Sequence, residues 1–232
     1  MSSTAVLLSA GLDSAVLAAA EARSGRIHPI YVSAGLAWEE AELAALERLL
    51  AAPPLAGRTE PLATLSFTVH DLYPATHWAL RGEPPAFDTP DEDVYLTGRN
   101  IALLSKAGIY AGQRNVARIV LGPLAGNPFP DATRTFFDAM ARALSLGLDH
   151  TIAIDTPFAA LEKSDVIKLG VELGVPLELT LSCMNPRHRQ GHGGQAPSVE
   201  HCGQCSKCRE RRDAFAEAGV IDPTRYATTP LR

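Results

Sequence analysis

The chain has 232 residues, 46% of them hydrophobic and 20% charged, with a formal net charge of −5. That composition suits one large globular domain with a small appendage, and its acidic balance excludes a generally basic, nucleic-acid-coating surface while leaving room for a local basic patch. An apolar patch near the start has no cationic segment before it and is cut short by Asp13, so neither a signal peptide nor a membrane span is read, and a cytoplasmic protein is expected.

The first predicted element is the stretch Val6-Leu7-Leu8-Ser9-Ala10-Gly11-Leu12-Asp13-Ser14, which reads as strand, small-residue turn and helix start. Ala15 to Glu21 are strong helix formers, so Ser14 or its neighbours lie at a helix N-terminus whose backbone N–H groups lack intrahelical acceptors. Free donors and the positive end of the helix dipole suit an anion such as phosphate, and Ala10 and Gly11 carry too little side chain to block it. Asp13 is the odd member, since a carboxylate beside phosphates repels them unless it holds a metal ion or a backbone turn. An ordinary strand-turn-helix corner is the bland alternative.

Ile27 to Val32 reads as a second strand and Trp38 to Ala52 as a helix ended by Pro53-Pro54. Phe67 to Leu72 is taken as another strand, and the proline- and carboxylate-rich run from Pro74 to Asp93 as a long loop, either a lid or a disordered connection. Helices follow over Gly98 to Gly112, Thr133 to Leu146 and Lys163 to Leu173, with strands at Arg118 to Leu121 and Thr151 to Ile154. Strand alternating with helix signals an α/β fold with a parallel sheet. Gly122 to Ala132 follows a strand's carboxyl end, where open α/β sheets place their ligands. Asn185 to Ser198 shows no regular pattern and is read as a flexible excursion.

All four cysteines fall late, as Cys183, Cys202, Cys205 and Cys208. Two-residue gaps let successive sulfurs converge on a tetrahedron and Cys183 closes it, so a structural zinc site is expected, against free thiols or a redox role. Metal binding of roughly 10–16 kcal/mol would hold the loop and the helix read over Arg209 to Ala218 against the core. His188, His192 and His201 lie nearby, but four cysteines suffice. Arg187, Arg189, Lys207, Arg209, Arg211 and Arg212 could form a basic patch for RNA or a partner, although the interspersed Glu200, Glu210 and Asp213 favour a solvated helix face.

The turn after the first strand resembles the PP-loop of ATP pyrophosphatases, Ser-Gly-Gly-x-Asp-Ser, with Ser9, Gly11, Asp13 and Ser14 matching and Ala10 in place of a glycine. That change is mild at negative φ and serious where the turn needs φ above zero. Together with the cysteine quartet, Gly98-Arg99-Asn100, Phe129-Pro130-Asp131, Leu161-Glu162-Lys163-Ser164 and Thr180-Leu181-Ser182-Cys183, the chain resembles the 7-cyano-7-deazaguanine synthase family over most of its length. The family converts 7-carboxy-7-deazaguanine, ammonia and ATP into the nitrile.

The resemblance implies a HUP-type, doubly wound parallel sheet with helices on both faces, a nucleotide-binding domain over 1–176 and a zinc-binding C-terminal region over 177–232. It also implies ATP with magnesium and a homodimer. Ser9, Ala10, Gly11, Leu12, Asp13 and Ser14 would receive the pyrophosphate and magnesium, and Lys163 would neutralise charge on the leaving phosphate. Arg99 would do the same or clamp the substrate carboxylate; Asn100 and Asp131 would bind substrate, Asp131 accepting from the N–H edge of the base. Bland alternatives remain for each: Lys163 as a solvated helix residue, Arg99 as a surface ion-pair partner, Asp131 as an Asx-turn residue.

Departures from the family pattern fall mostly on the substrate side. Ser33-Ala34-Gly35-Leu36 replaces Asp-Tyr-Gly-Gln, and Thr97, Phe129, Thr133 and Leu181 replace Pro, Tyr, Arg and Trp. They leave open a second acceptor for the activated carboxylate, such as a protein or peptide amine.

Overall fold

The computed structural model describes residues 3–189 and 198–228. Five strands form one parallel sheet: β1 (Thr4–Leu7), β2 (Ile27–Ser33), β3 (Ala63–Ser66), β4 (Arg118–Val120) and β5 (Ala153–Asp155), in the order β3-β2-β1-β4-β5. Central β1 is buried throughout and pairs Val6 with Pro29 on one side and with Val120 on the other. A strand covered on both faces needs apolar side chains at every position, which explains the unbroken run Ala5 to Leu8.

Alternation along β1 divides the core in two. Val6 and Leu8 face α1 (Leu12–Glu21), α2 (Glu39–Ala51) and, further along the chain, α6 (Lys163–Glu172), packing with Val16, Leu46, Leu49 and Ile167. Ala5 and Leu7 face α4 (Arg99–Gln113) and α5 (Arg134–Leu148), packing with Leu104, Tyr110 and Phe137. The first two crossovers build outward from β1 to β3, and the chain then returns to the other side of β1 for β4 and β5. This reversal opens a crevice outside the carboxyl ends of β1 and β4, the position at which doubly wound sheets bind ligands. The last helix, α7 (Ser206–Ala218), joins the first core through Ala214 and Phe215. No helix among the described residues is long and apolar enough to cross a membrane.

Three expectations need correction. The third strand is Ala63–Ser66 and not Phe67 to Leu72. β3 is an edge strand with alternate residues exposed, so it lacks the apolar density that marks its neighbours. Phe67 and Val69 still donate to Ser33 and Ala34 beyond the strand, but the chain turns at Val69 to Leu72, whose side chain is exposed. The run from Pro74 to Asp93 holds a short helix, α3 (Trp78–Arg81), started by the His77 ring accepting from the N–H of Ala79. A 3-10 turn follows at Asp91–Val94, and Arg209 of α7 holds the loop by donating to the carbonyls of Phe87 and Thr89. Within the stretch read as irregular, β6 (Arg187–Arg189) pairs antiparallel with β7 (Ser198–Glu200). Residues 190–197, including His192, lie outside the described residues.

Candidate active site

The turn between β1 and α1 sits at the crevice. Ala10 has φ 60°, whereas Gly11, which caps the helix, has φ −59°. The left-handed position therefore carries a Cβ, at a cost of roughly 1–2 kcal/mol, and the Ala10 substitution falls on the strained side of the alternative posed by the sequence. Ser14 Oγ donates to the Gly11 carbonyl at 3.0 Å and accepts the Ser9 N–H at 3.3 Å, which closes the turn. A Cβ on Gly11 would stand 3.3 Å from Ser9 Oγ, so the missing side chain keeps the surface open. The first N–H groups of α1, with no acceptors inside the helix, point out of its N-terminus.

A chain of charges lies beside this turn. Lys163 Nζ is 3.2 Å from Asp13 Oδ2 and also pairs with Glu210, while Lys207 Nζ is 2.6 Å from Glu210 Oε2 and 3.3 Å from Asp91 Oδ1. Burial alone would lower the pKa of Lys163, but the flanking Asp13 and Glu210 carboxylates outweigh it and raise the value. Burial raises that of Asp13 against the opposing pull of Lys163. Asp13 Oδ1 is buried with no hydrogen-bond partner among the described residues. An orphaned carboxylate oxygen at the mouth of a helix N-terminus fits a hard cation that also touches phosphate.

Two adjoining cavities occupy the crevice. One, of about 280 Å³, lies among Leu8, Tyr31, Val32, Arg99, Leu121 and Asp131. The other, of about 460 Å³, runs from Gly11, Asp13 and Lys163 to Trp38, Glu42 and Trp78. Ser9, Arg99, Gly122 and Phe129 line both. Arg99 begins α4, and its Nε is buried without a partner among the described residues. Ser9, Gly11, Asp13, Lys163 and Arg99 are thus brought to one crevice, as is Asn100 at its edge.

Asp131 lines the smaller cavity beside Arg99 and Asn100, with its carboxylate already engaged. It is buried, and its carboxylate accepts the Asn100 backbone N–H at 3.1 Å and the Asn100 side-chain amide at 3.3 Å, fastening the start of α4, which no other side chain caps. Burial raises its pKa, against those hydrogen bonds.

Several residues at the crevice were not singled out from the sequence. Glu39 accepts from Ser33 Oγ at 2.6 Å and from the N–H groups of Ala34 and Gly35, shaping the loop after β2. Glu42, one turn later, accepts from the Tyr31 hydroxyl at 2.9 Å, and burial pushes its pKa up to about 7. Trp38 and Trp78 stack with centroids 5.8 Å apart. The available signal was three glutamates, Glu39, Glu40 and Glu42, in the first turn of a helix next to a tryptophan.

The four cysteines lie together at the C-terminal side, all buried, with their sulfurs within 4.8 Å of one another. Sulfur separations of 4.0, 3.8 and 3.5 Å bracket the roughly 3.8 Å set by four thiolates at about 2.3 Å from a tetrahedral zinc. Backbone N–H groups of Asn185, Cys202 and Gln204 donate to two of the sulfurs, as expected around thiolates. His201 stands apart: its Nε2 meets the Ser182 N–H at 3.1 Å. His188 lies on exposed β6.

The arginines of α7 do not assemble the basic patch that the sequence allowed, nor a purely solvated face. Arg211 is buried and donates to Thr180, Ser182, Thr224 and the Leu177 carbonyl. Arg209 and Arg212 bond backbone carbonyls, and Lys207 is held in the charge chain.

Comparison with known proteins yields a match to the family model described as queuosine biosynthesis protein QueC over residues 3–219. A 7-cyano-7-deazaguanine synthase of Methanopyrus kandleri is 35% identical, the match covering 97% of this chain and 99% of the relative. Enzymes of the same name from Anaeromyxobacter dehalogenans and Methanothrix thermoacetophila are 36% and 33% identical, covering 96% and 95% of this chain and 94% and 96% of theirs.

Proposed function

The chain belongs to the QueC family of queuosine biosynthesis enzymes, and on that premise we propose that it activates 7-carboxy-7-deazaguanine with ATP and uses ammonia to make 7-cyano-7-deazaguanine. One observation carries the reading: Ser9 and Asp13 of the first turn meet Arg99 and Lys163, from distant parts of the sequence, in one crevice beside a helix N-terminus.

A carboxylate resists nucleophiles because of its charge. Transfer of AMP to one of its oxygens, with loss of pyrophosphate, gives an acyl adenylate whose carbonyl no longer carries the carboxylate charge; ammonia then displaces AMP and leaves an amide. A second transfer to the amide oxygen lets that oxygen depart on AMP with loss of the nitrogen protons, and the nitrile remains. No side-chain nucleophile is needed, so positioning and charge stabilisation do the catalysis.

The residues divide those tasks. The α1 N–H groups, Ser9, Gly11 and Ser14 hold the departing pyrophosphate. Lys163 lies against the same turn and balances charge as it grows there, while Asp13 and Glu210 keep it protonated and aimed. Asp13 Oδ1 would hold magnesium, which supplies further neutralisation of phosphate charge. Arg99, at the junction of the two cavities, orients the reacting carboxylate with a planar fork that matches its two oxygens. Cys183, Cys202, Cys205 and Cys208 would hold zinc in a closed, structural site.

Incubation of the protein with 7-carboxy-7-deazaguanine, ATP, magnesium and ammonia, followed by mass spectrometry, tests this. The nitrile, AMP and pyrophosphate are expected. An amide on a supplied peptide amine, with no nitrile from ammonia alone, would replace ammonia by the other acceptor.

A further inference from the structure

Asp131 leaves a question about how a base is read, because its carboxylate is engaged by Asn100 at the start of α4. A guanine-type base presents two adjacent donors, the ring N1–H and the exocyclic amine, and a carboxylate is the side chain that accepts both at once. Among the acidic residues lining the larger cavity, Asp13, Asp91, Glu162 and Glu210 stand by lysines or at the α6 N-terminus, near the phosphate turn. Glu42 stands elsewhere, with Trp38 and Trp78.

Its surroundings are unusual for a carboxylate. Glu42 is only 8% exposed and sits in the first turn of α2, where Tyr31 donates a hydrogen bond to Oε2 and the Trp38 side chain acts as a second donor, which leaves about half of its acceptor positions open. A buried carboxylate has room for about four hydrogen bonds, and its desolvation is costly when they are not made. Arg99 is the opposite charge that acts on it across the crevice. Beside it Trp38 and Trp78 lie nearly parallel, 12° apart, and provide flat apolar walls on the same cavity. A flat base with a donor edge satisfies both features, since one of its faces packs on the outer side of the indole pair and its edge fills the remaining acceptor positions.

The chain lacks an aspartate and a tyrosine at Ser33 and Ala34, and α2 brings two carboxylates and an indole to the same end of β2: Glu39 fastens Ser33 to Gly35, while Glu42 and Trp38 face the cavity.

We propose that Glu42, oriented by Tyr31 and flanked by Trp38 and Trp78, is the specificity-determining residue that accepts the N1–H and exocyclic amine of the 7-deazaguanine base. Arg99 then meets the carboxylate at the other side of the base, where the two cavities join. Asp131 is a positioning residue for α4. This assignment rests on the substrate reading above.

Calorimetric titration of the zinc-loaded protein, with magnesium and a nonhydrolysable ATP analogue present, tests it. The probes are 7-carboxy-7-deazaguanine and the analogue lacking the exocyclic amine. The wild type should prefer the first by about tenfold or more. Glu42→Gln should lose that preference and bind the first about tenfold or more weakly, because its amide N–H₂ faces a donor; Asp131→Asn should keep the preference. Glu42→Asp, which shortens the reach while keeping the charge, should also bind weakly and guards against a Gln variant that fails to fold. Unchanged affinity and preference in both Glu42 variants overturns the assignment while the substrate reading stands. A wild type that binds the ATP analogue and neither base overturns both.

Discussion

The backbone N–H of Leu181 donates to the carbonyl of Ala10 at 2.9 Å, so the segment leading into the first cysteine is bonded directly to the turn after β1. A second tie runs through side chains, from Asp13 to Lys163 to Glu210, and Glu210 lies two residues beyond Cys208 on α7. The cysteine cluster and the turn after β1 are therefore mechanically continuous.

Stripping the metal should weaken nucleotide binding as well as the fold. Chelation, or Cys208→Ser, removes a binding energy of roughly 10–16 kcal/mol and frees α7. The expected result is a large drop in melting temperature with a parallel loss of ATP affinity, both restored by added zinc in the chelated wild type and not in Cys208→Ser. Metal analysis should give one zinc per chain.

Relief of the backbone at Ala10 offers an opposite test. Its φ of 60° suits glycine, so Ala10→Gly should stabilise the protein by about 0.5–1 kcal/mol, the left-handed penalty less the greater entropy of the unfolded glycine. Ala10→Val should destabilise it, because a β-branched residue tolerates that φ poorly and the site is fully buried. Urea unfolding measures both.

Lys163 separates catalysis from stability. Lys163→Met leaves the Asp13 and Glu210 carboxylates facing each other, which should cost about 3 kcal/mol and lower turnover by about 100-fold or more. Adding Asp13→Asn to that variant removes one of the two charges and should recover part of the stability but none of the turnover. Denaturant titration and pyrophosphate release report the two separately.

Glu42 gives a pH signature. Its pKa rises from 4.5 to about 7 on folding, chiefly by burial, so the native state holds its proton more tightly than the unfolded chain. Stability from this group is fully present below about pH 4.5 and is lost as pH rises through 7, by on the order of 3 kcal/mol. Glu42→Gln should abolish that component and be more stable than the wild type at pH 8. Melting temperatures of the two proteins across pH 5–8 check the sign.

Legibility in the sequence followed the locality of the physics. The turn from Ser9 to Ser14 and the cysteine spacing are short-range patterns whose chemistry is set by neighbours in the chain, and both sets of residues gather as expected. β3 was misplaced because an edge strand needs only one buried face, and Pro74 to Asp93 looked structureless because Arg209, over a hundred residues later, holds it. Glu42 and Trp78 were missed, and Lys207 and Glu210 were read only as patch or solvated-face charges, for the same reason: each acquires its meaning from partners that only the folded sheet brings near. Arg211 looked like a surface charge and is buried, since its hydroxyl and carbonyl acceptors come from elsewhere in the chain.

In the proposed reaction each carboxylate oxygen leaves on the phosphorus of AMP. Substrate labelled with heavy oxygen in its carboxylate, converted in the presence of ATP and ammonia, should deliver the label to AMP, with unlabelled pyrophosphate alongside. Label recovered in orthophosphate, together with ADP, would contradict it.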